Sequence, residues 1–306
     1  MAPPLPFSSH CGTGTLDVHA IINPVSGRRD PARAIARVRQ GLAREGVGVT
    51  CTATREPGDA TCLARNVPDS ARAILIVGGD GTVREVVTGR VGRPTPLLVL
   101  GTGTENIVAK ALGMPRDPDH IVERILHGMP RPTDVGVVNG RKFLIISGIG
   151  FDAEVVHRLH RARAGHISYL DYFWPIWRTF WGHVFPELHV ETDGRALFDG
   201  NGLVFVGVLR RYSLGLQILS KARHDDGLLD VCVYPCASRA RLMGHAARTL
   251  LGRHTSSRET LYAQCRTATV HSNKPVSMQV DGDVGGSLPA TYSVIPSGIW
   301  FLMAPS

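Results

Sequence analysis

Five residues, Gly78-Gly79-Asp80-Gly81-Thr82, follow the apolar run AILIV (73–77) and precede a helical pattern. Glycines at such a turn let a phosphate approach the backbone, and the helix start offers free N–H donors at the positive end of its dipole. Asp80 does not suit a phosphate directly, but it can arrange a magnesium ion or a water between phosphates. The bland alternative is an ordinary strand-to-helix turn whose glycines only permit tightness. Two similar loops weigh against it. Asn23-Pro24-Val25-Ser26-Gly27 follows the run VHAII (18–22), and Gly101-Thr102-Gly103-Thr104-Glu105-Asn106 follows PLLVL (96–100). Three small, polar loops at the carboxyl ends of neighbouring strands predict a nucleotide crevice.

The elements that must position these loops are readable between Val18 and about Pro130. VHAII, VGVTCT (47–52), AILIV and PLLVL are strand-like. Helical patterns follow at 31–42, 59–66, 82–89, 105–113 and 118–127, the first capped by Asp30. Apolar strands alternating with helices predict a mostly parallel sheet covered on both faces. Beyond Pro130 the pattern changes. TDVGVVNGRKFLIIS reads as two strands around Asn139-Gly140, a hairpin signal. ELHVET, RALF, LVFVGV, LGLQIL and LLDVCVY follow as strands broken by turns such as Asp193-Gly194; after a helix near 238–250, LYAQCRTATVHS and PVSMQVDGD return to strand. The expected class is α/β: an N-terminal nucleotide-binding domain over 17–130, then an antiparallel β-rich, sandwich-like domain over 131–295. Residues 1–16 read as a disordered tail.

Composition narrows the partners. At 306 residues the chain is long for one core, and 34 basic against 26 acidic side chains give a net charge of +8. Only Lys110, Lys142, Lys221 and Lys274 of those 34 are lysines. The excess suits an anionic membrane surface, nucleic acid or phosphate compounds, and no nucleic-acid motif accompanies it. The six cysteines are scattered without a C-x-x-C pair, which speaks against zinc and disulfides. With no signal-peptide pattern and no apolar span, the expected location is cytoplasmic.

NPVSG, GGDGT, GTEN-IVAKALG, GIGFDAEVV, HDDGLLDV and QVDGD occur in the order found in the diacylglycerol kinase catalytic family, and the chain resembles its bacterial soluble members from Val18 onward. The resemblance implies an ATP-binding domain completed by about 296–306, a lipid-binding domain, and ATP with magnesium as cofactors. It implies that Asn23, Pro24, Ser26, Gly27, Arg28, Thr54, Gly78, Gly79, Asp80, Gly81, Thr82 and Thr104 hold ATP. It also implies a structural magnesium on the Asp226 carboxylate and the carbonyls of Arg223 and Leu228, with Asp134 and Arg28 lining the active cleft. The family's general base is the acid of a D-G-E element, which here is Asp281-Gly282-Asp283. The catalytic residues implied are therefore Asp283, with Asp281, and Asp80. Three positions depart from the pattern: Asp283 for glutamate, Ile107 for the aspartate of G-T-x-N-D, and Arg28 for a common lysine. The partners implied are ATP and a lipid at a membrane surface, peripherally bound and without nucleic acid, with a homodimer left open. Other readings are a NAD kinase-like phosphotransferase, which shares GGDGT, and a non-catalytic lipid- or nucleotide-binding relative.

Two segments carry rival signals. Gly148-Ile149-Gly150-Phe151-Asp152-Ala153 fits G-x-G-x-x-A, but the β-rich sequence after it lacks the βαβ unit of a dinucleotide fold. Residues 167–185, ISYLDYFWPIWRTFWGHVF, concentrate Tyr169, Tyr172, Phe173, Trp174, Trp177, Phe180, Trp181 and Phe185. As a helix, this segment is either an interfacial, lipid-facing surface or a core-facing helix of the β domain.

Overall fold

The computed structural model describes residues 17–27, 30–161 and 173–305. The chain divides into two compact units: residues up to Thr133 together with Ser297–Ser306, and Asp134–Pro296. The segments 1–16 and 167–172, and Arg28, lie outside the described residues.

In the first unit, strands β1 (Val18–Ile22), β2 (Val49–Ala53), β3 (Ala73–Gly78) and β4 (Leu97–Gly101) form a parallel sheet in the order β2-β1-β3-β4. The end of β15 (Ala290–Met303) adds beside β4, pairing Phe301 with Leu97. Every residue of β3 is buried, as its unbroken apolar run requires for a strand covered on both faces. Helices α1 (Pro31–Arg44) and α5 (Pro118–His127) pack together, as do α2 (Asp59–Asn66) and α3 (Asp80–Arg90). The chain steps from β1 outward to β2 and then back past β1 to β3, so the topological switch lies between β1 and β3. The crevice at such a switch is where open parallel sheets bind ligands.

Helix α3 is held at its far end by Arg90, whose side chain is fully buried. The guanidinium donates to Asp69 (2.7 Å), Thr95 Oγ1 (2.6 Å) and the Val67 carbonyl (2.8 Å). One side chain thus satisfies the groups left at the end of α2 and ties them to the helix that follows GGDGT.

The second unit is antiparallel. Its strands are β5 (Met129–Val138, entered from the first unit), β6 (Arg141–Phe143), β7 (Ile146–Ile149), β8 (Glu187–Thr192), β9 (Arg195–Gly207), β10 (Leu229–Pro235), β11 (Leu261–Cys265), β12 (Thr267–His271), β13 (Ser277–Val280), β14 (Asp283–Ser287) and the start of β15. Strand β9 joins two sheets. Its first half pairs with β8, and its second half lies between β7 and β10. RALF and LVFVGV are therefore one strand, and Gly200 (φ 144°) lies where the pairing changes. Hairpins form at Asn139-Gly140 and Asp193-Gly194, where both central residues take positive φ as the type I′ turn requires.

One sequence expectation fails locally. LGLQIL is not a strand: it begins in a short 3-10 turn at Ser213–Gly215, and the rest is turn and coil. Its alternation matched a strand, but the left-handed Gly215 (φ 78°) breaks the extended backbone. LYAQCRTATVHS is two strands, β11 on β10 and β12 between β8 and β15, parted at Arg266. Helices α6 (Phe151–Arg161), α7 (Phe173–Gly182) and α8 (Arg239–Leu250) complete this unit.

Replacing Arg90 with alanine should remove roughly 1–3 kcal/mol of stability in denaturant unfolding, the cost of leaving the buried Thr95 hydroxyl and Val67 carbonyl without their donor. A loss below about 1 kcal/mol, the range of an exposed ion pair, would show that the guanidinium is dispensable.

Candidate functional site

The three loops converge at the switch point. Asn23 donates from Nδ2 to Thr82 Oγ1 (3.0 Å), bridging the β1 and β3 loops. Gly27 has φ 75°, and a Cβ there would overlap the Thr102 carbonyl, so the β1 loop touches the β4 loop. A Cβ on Gly103 would lie 2.8 Å from the Gly79 Cα, and one on Gly79 would lie 3.4 Å from the Ser26 Oγ. These glycines let three backbones meet with no side chain between them.

The helix N-termini at this crevice are not equivalent. Asp30 accepts the Ala32 and Arg33 N–H groups, so α1 is capped by a carboxylate. Helix α4 (Ile107–Ala111) begins at Asn106, and its first N–H groups, from Ile107 and Val108, donate to Asp80 Oδ2 (2.9 Å) and Oδ1 (3.0 Å). Helix α3 has Gly79 at its N-cap and no side-chain cap bond. Among the described residues, α3 is thus the helix here whose first turn no carboxylate caps, and a Cβ on Gly81 would meet nothing within 4 Å. An anion is favoured at that terminus by both its N–H groups and its dipole.

Asp80, read from sequence as a magnesium-arranging or catalytic residue, holds α4 against α3 through both oxygens. The Ile107 side chain is buried, so this departure from the family pattern serves the core while its backbone serves Asp80. Beside the third loop is a cavity of about 260 Å³ lined by Gly101, Gly103, Thr104, Asn106, Lys110 and Arg116, among others. Thr104 is exposed there, and Lys110 lies 3.7 Å from Glu105. Thr54 stands apart at the end of β2, its N–H bonded to the Ile22 carbonyl (2.8 Å). Pro24 lies exposed on the β1 loop.

In the second unit, Asp281 and Gly282 form the turn between β13 and β14, with φ 52° and 80°. The sequence shows only the D-G pair; the structure makes it a type I′ hairpin with Val280 paired to Asp283. Asp281 accepts N–H groups from Leu144 (2.9 Å), Ile145 (2.9 Å) and Ile146 (3.1 Å). Its carboxylate thereby anchors the turn to the start of β7. Asp283, first in β14, is part-exposed, with Arg141 3.6 Å away.

Sequence reasoning missed the support behind this turn. Gln279, fully buried, accepts the Gly282 N–H (2.8 Å) and donates to Asp152 Oδ2 (2.9 Å). The Tyr212 hydroxyl also donates to Asp152 (3.0 and 3.1 Å). Desolvation pushes the Asp152 carboxyl up to about 6, against the pull of these two donors. The one signal was the G-x-G-x-x-A stretch. The structure gives it a packing role: β7 lies between antiparallel β13 and β9, and a Cβ on Gly148 would collide with Asp152.

The HDDGLLDV turn packs on Asp134, which is buried: the Gly227 N–H donates to Asp134 Oδ2 (2.7 Å) and the Asp134 N–H to the His224 carbonyl (2.7 Å). Asp226 accepts the Leu228 N–H (3.1 Å) and lies 3.4 Å from Gln264 Nε2. Arg223 pairs with Asp225 (3.4 Å). Asp230 is fully buried, with Oδ2 lacking a hydrogen-bond partner. Burial raises its carboxyl to about 6, with Asp226 adding a smaller push. Among the described residues no group of three or more His, Cys, Asp or Glu side chains is placed to hold a metal ion.

A parallel sheet with glycine-rich loops at its switch point, and separately a β-rich unit with a carboxylate turn, are the parts expected of a nucleotide-dependent phosphotransferase. The comparisons agree. Residues 17–138 match the diacylglycerol kinase catalytic domain, and 145–303 match the YegS C-terminal NAD kinase beta sandwich-like domain. A diacylglycerol kinase of Bacillus subtilis is 31% identical, over 89% of this chain and 91% of its own length. One of Staphylococcus carnosus is 27% identical over 89% and 90%. The fold is that of a putative diacylglycerol kinase crystal structure from Bacillus anthracis (TM-score 0.78, 22% identity, 96% and 99% coverage). The chain belongs to the diacylglycerol kinase family, and as a kinase it takes ATP as phosphoryl donor.

A raised carboxyl pKa stabilises the fold while the group is protonated. Asp152 therefore contributes below its ordinary value of 3.8, and that contribution is lost as pH rises through about 6. Asp152→Asn should remove this dependence, so the urea midpoint of the variant should gain on the wild type as pH rises across that window. A constant difference between the two would contradict the assignment.

Proposed function

We propose that the chain is an ATP- and magnesium-dependent lipid kinase that transfers the γ-phosphate to the hydroxyl of a diacylglycerol-like lipid at a membrane surface. The observation that carries this reading is the division of labour among the helix N-termini. With α1 capped by Asp30 and α4 by Asp80, α3 has Gly79 at its N-cap and no side-chain cap bond, an arrangement that suits phosphate oxygens. Asn23, Ser26, Gly27, Gly78, Gly79, Gly81 and Thr82 build the cradle, with Thr104 at its rim; for Pro24, Thr54 and Arg28 the ATP-binding role rests on the family resemblance alone. Asp80 acts in positioning, by fixing α4 against this loop.

A lipid hydroxyl is a poor nucleophile at neutral pH. Asp283, exposed enough to meet a substrate, accepts its proton as the oxygen attacks phosphorus. Asp281 has spent its oxygens on three backbone N–H groups, so it holds the turn and leaves the base role to its neighbour. The carboxylate of Asp226, with the carbonyls of Arg223 and Leu228, supplies oxygen donors for magnesium, and Asp134 fixes the turn that presents them. Magnesium, when bound, neutralises charge that phosphate chemistry accumulates. The support for a lipid acceptor is the kinship with diacylglycerol kinases.

The test is γ-labelled ATP with magnesium against diacylglycerol, other lipid alcohols and NAD in mixed micelles. Labelled diacylglycerol and unlabelled NAD are expected. Asp283→Asn should lower kcat roughly 10²–10⁴-fold at an unchanged thermal midpoint, the range for loss of a general base. Wild-type-like turnover by this variant would remove Asp283 as base, and ATP binding without turnover on any lipid would favour a non-catalytic relative.

A further inference from the structure

Helix α7 is inverted relative to an ordinary surface helix. Its inward side carries Pro175 and the fully buried Thr179, followed beyond the helix by the buried His183. His183 Nδ1 lies 2.9 Å from Glu154, and its ring sits between Phe151 and Phe185. Its outward side carries Trp174, Trp177 and Trp181, which are 56%, 48% and 54% exposed. A helix packed for a core would place these residues the other way round.

The first residue of helix α8 meets the last turn of α7. Arg239 donates from Nε to the Phe180 carbonyl (3.0 Å) and stacks over Trp181, while Arg178 stacks over Trp174 (5.3 Å to the ring centre). Met243, Leu250 and Leu251 are exposed on or just after α8. Neither helix contains an aspartate or glutamate, whereas α8 adds Arg241 and Arg248.

We propose that the outward faces of α7 and α8 form one docking surface for an anionic lipid bilayer. The inference rests on the lipid-kinase reading and names the surface through which that enzyme meets its substrate. Tryptophan is most stable at the headgroup boundary, where its ring is shielded and its N–H stays hydrated. Arginines stacked on those rings lie at the level of lipid phosphates, where each adds attraction to an anionic leaflet. At ten residues α7 is about 15 Å long, half a hydrocarbon core, and among the described residues no helix is long and apolar enough to cross a membrane. The helix therefore lies in the interface. A second copy is a poorer occupant, because a symmetric pairing would set Arg178 and Arg239 against their copies, and neither α7 nor α8 carries an acid to offset them.

Three of the four tryptophans lie on this surface, so the full chain carries its own probe. Without ATP, vesicles of phosphatidylglycerol and phosphatidylcholine should blue-shift its emission, and lipids brominated near the headgroup should quench it. Vesicles of phosphatidylcholine alone should bind more weakly. Trp174→Ala/Trp177→Ala/Trp181→Ala should weaken co-sedimentation roughly tenfold or more. Arg178→Gln and Arg241→Gln should each weaken it roughly fivefold and reduce its salt sensitivity.

Absence of quenching in the wild type, or unchanged sedimentation of the tryptophan variant, would overturn the proposal. So would light scattering that shows a wild-type dimer, made monomeric by the tryptophan substitutions with vesicle binding intact. If the tryptophan variant fails to fold, wild-type quenching decides. Because the binding assay omits ATP, vesicle binding by a chain that phosphorylates no lipid when ATP and magnesium are supplied would sink the kinase reading and keep the surface. Lipid phosphorylation in micelles without vesicle binding would do the reverse.

Discussion

The nucleotide half depends on where the Asp80 carboxylate goes. Strand β3 delivers it at the first position of α3, where an acid would ordinarily complement its own helix dipole and repel a phosphate. Here both oxygens turn to the Ile107 and Val108 N–H groups of α4. The charge is thereby spent on a neighbouring helix, and the β4 loop is clamped onto the β3 loop. The close approach of Gly27, Gly79 and Gly103 is consistent with that clamp, since backbones this near need both the absence of Cβ atoms and a force holding them together.

The second unit repeats the device. Asp281, also followed by glycine, gives its oxygens to three N–H groups at the start of β7, and Gln279 secures the other half of the turn. In both places an Asp-Gly pair acts as a latch, its carboxylate tying the turn to backbone N–H groups of a neighbouring element. A latch of this kind is stiff, because breaking it strands several buried donors at once.

The sequence carried the parallel half well, because apolar strands and capped helices are local patterns. Asn139-Gly140 and Asp193-Gly194 were legible for the same reason: positive φ at both central residues is a local demand that Asn, Asp and Gly meet cheaply. Asp281-Gly282 satisfies it too. What stayed hidden was long-range. That Asp80 reaches across 27 positions to Ile107, or that Gln279 meets Asp152 across 127, leaves no periodicity to read. LGLQIL failed for the converse reason, as its alternation was real but its glycine governed the backbone.

Helix α7 shows the limit of pattern and its use. A tryptophan stripe identifies a helix face without saying whether that face turns toward core or solvent, since both bury apolar area somewhere. The structure settles the direction through Thr179 and His183, which occupy the inward side. His183 is held there by Glu154, and the three tryptophans face outward. The basic excess of the chain, undirected as a net charge of +8, acquires a location in the arginines laid over those rings. Aromatic anchors and cations at one level are what a headgroup layer recognises, so this surface and the substrate class point the same way.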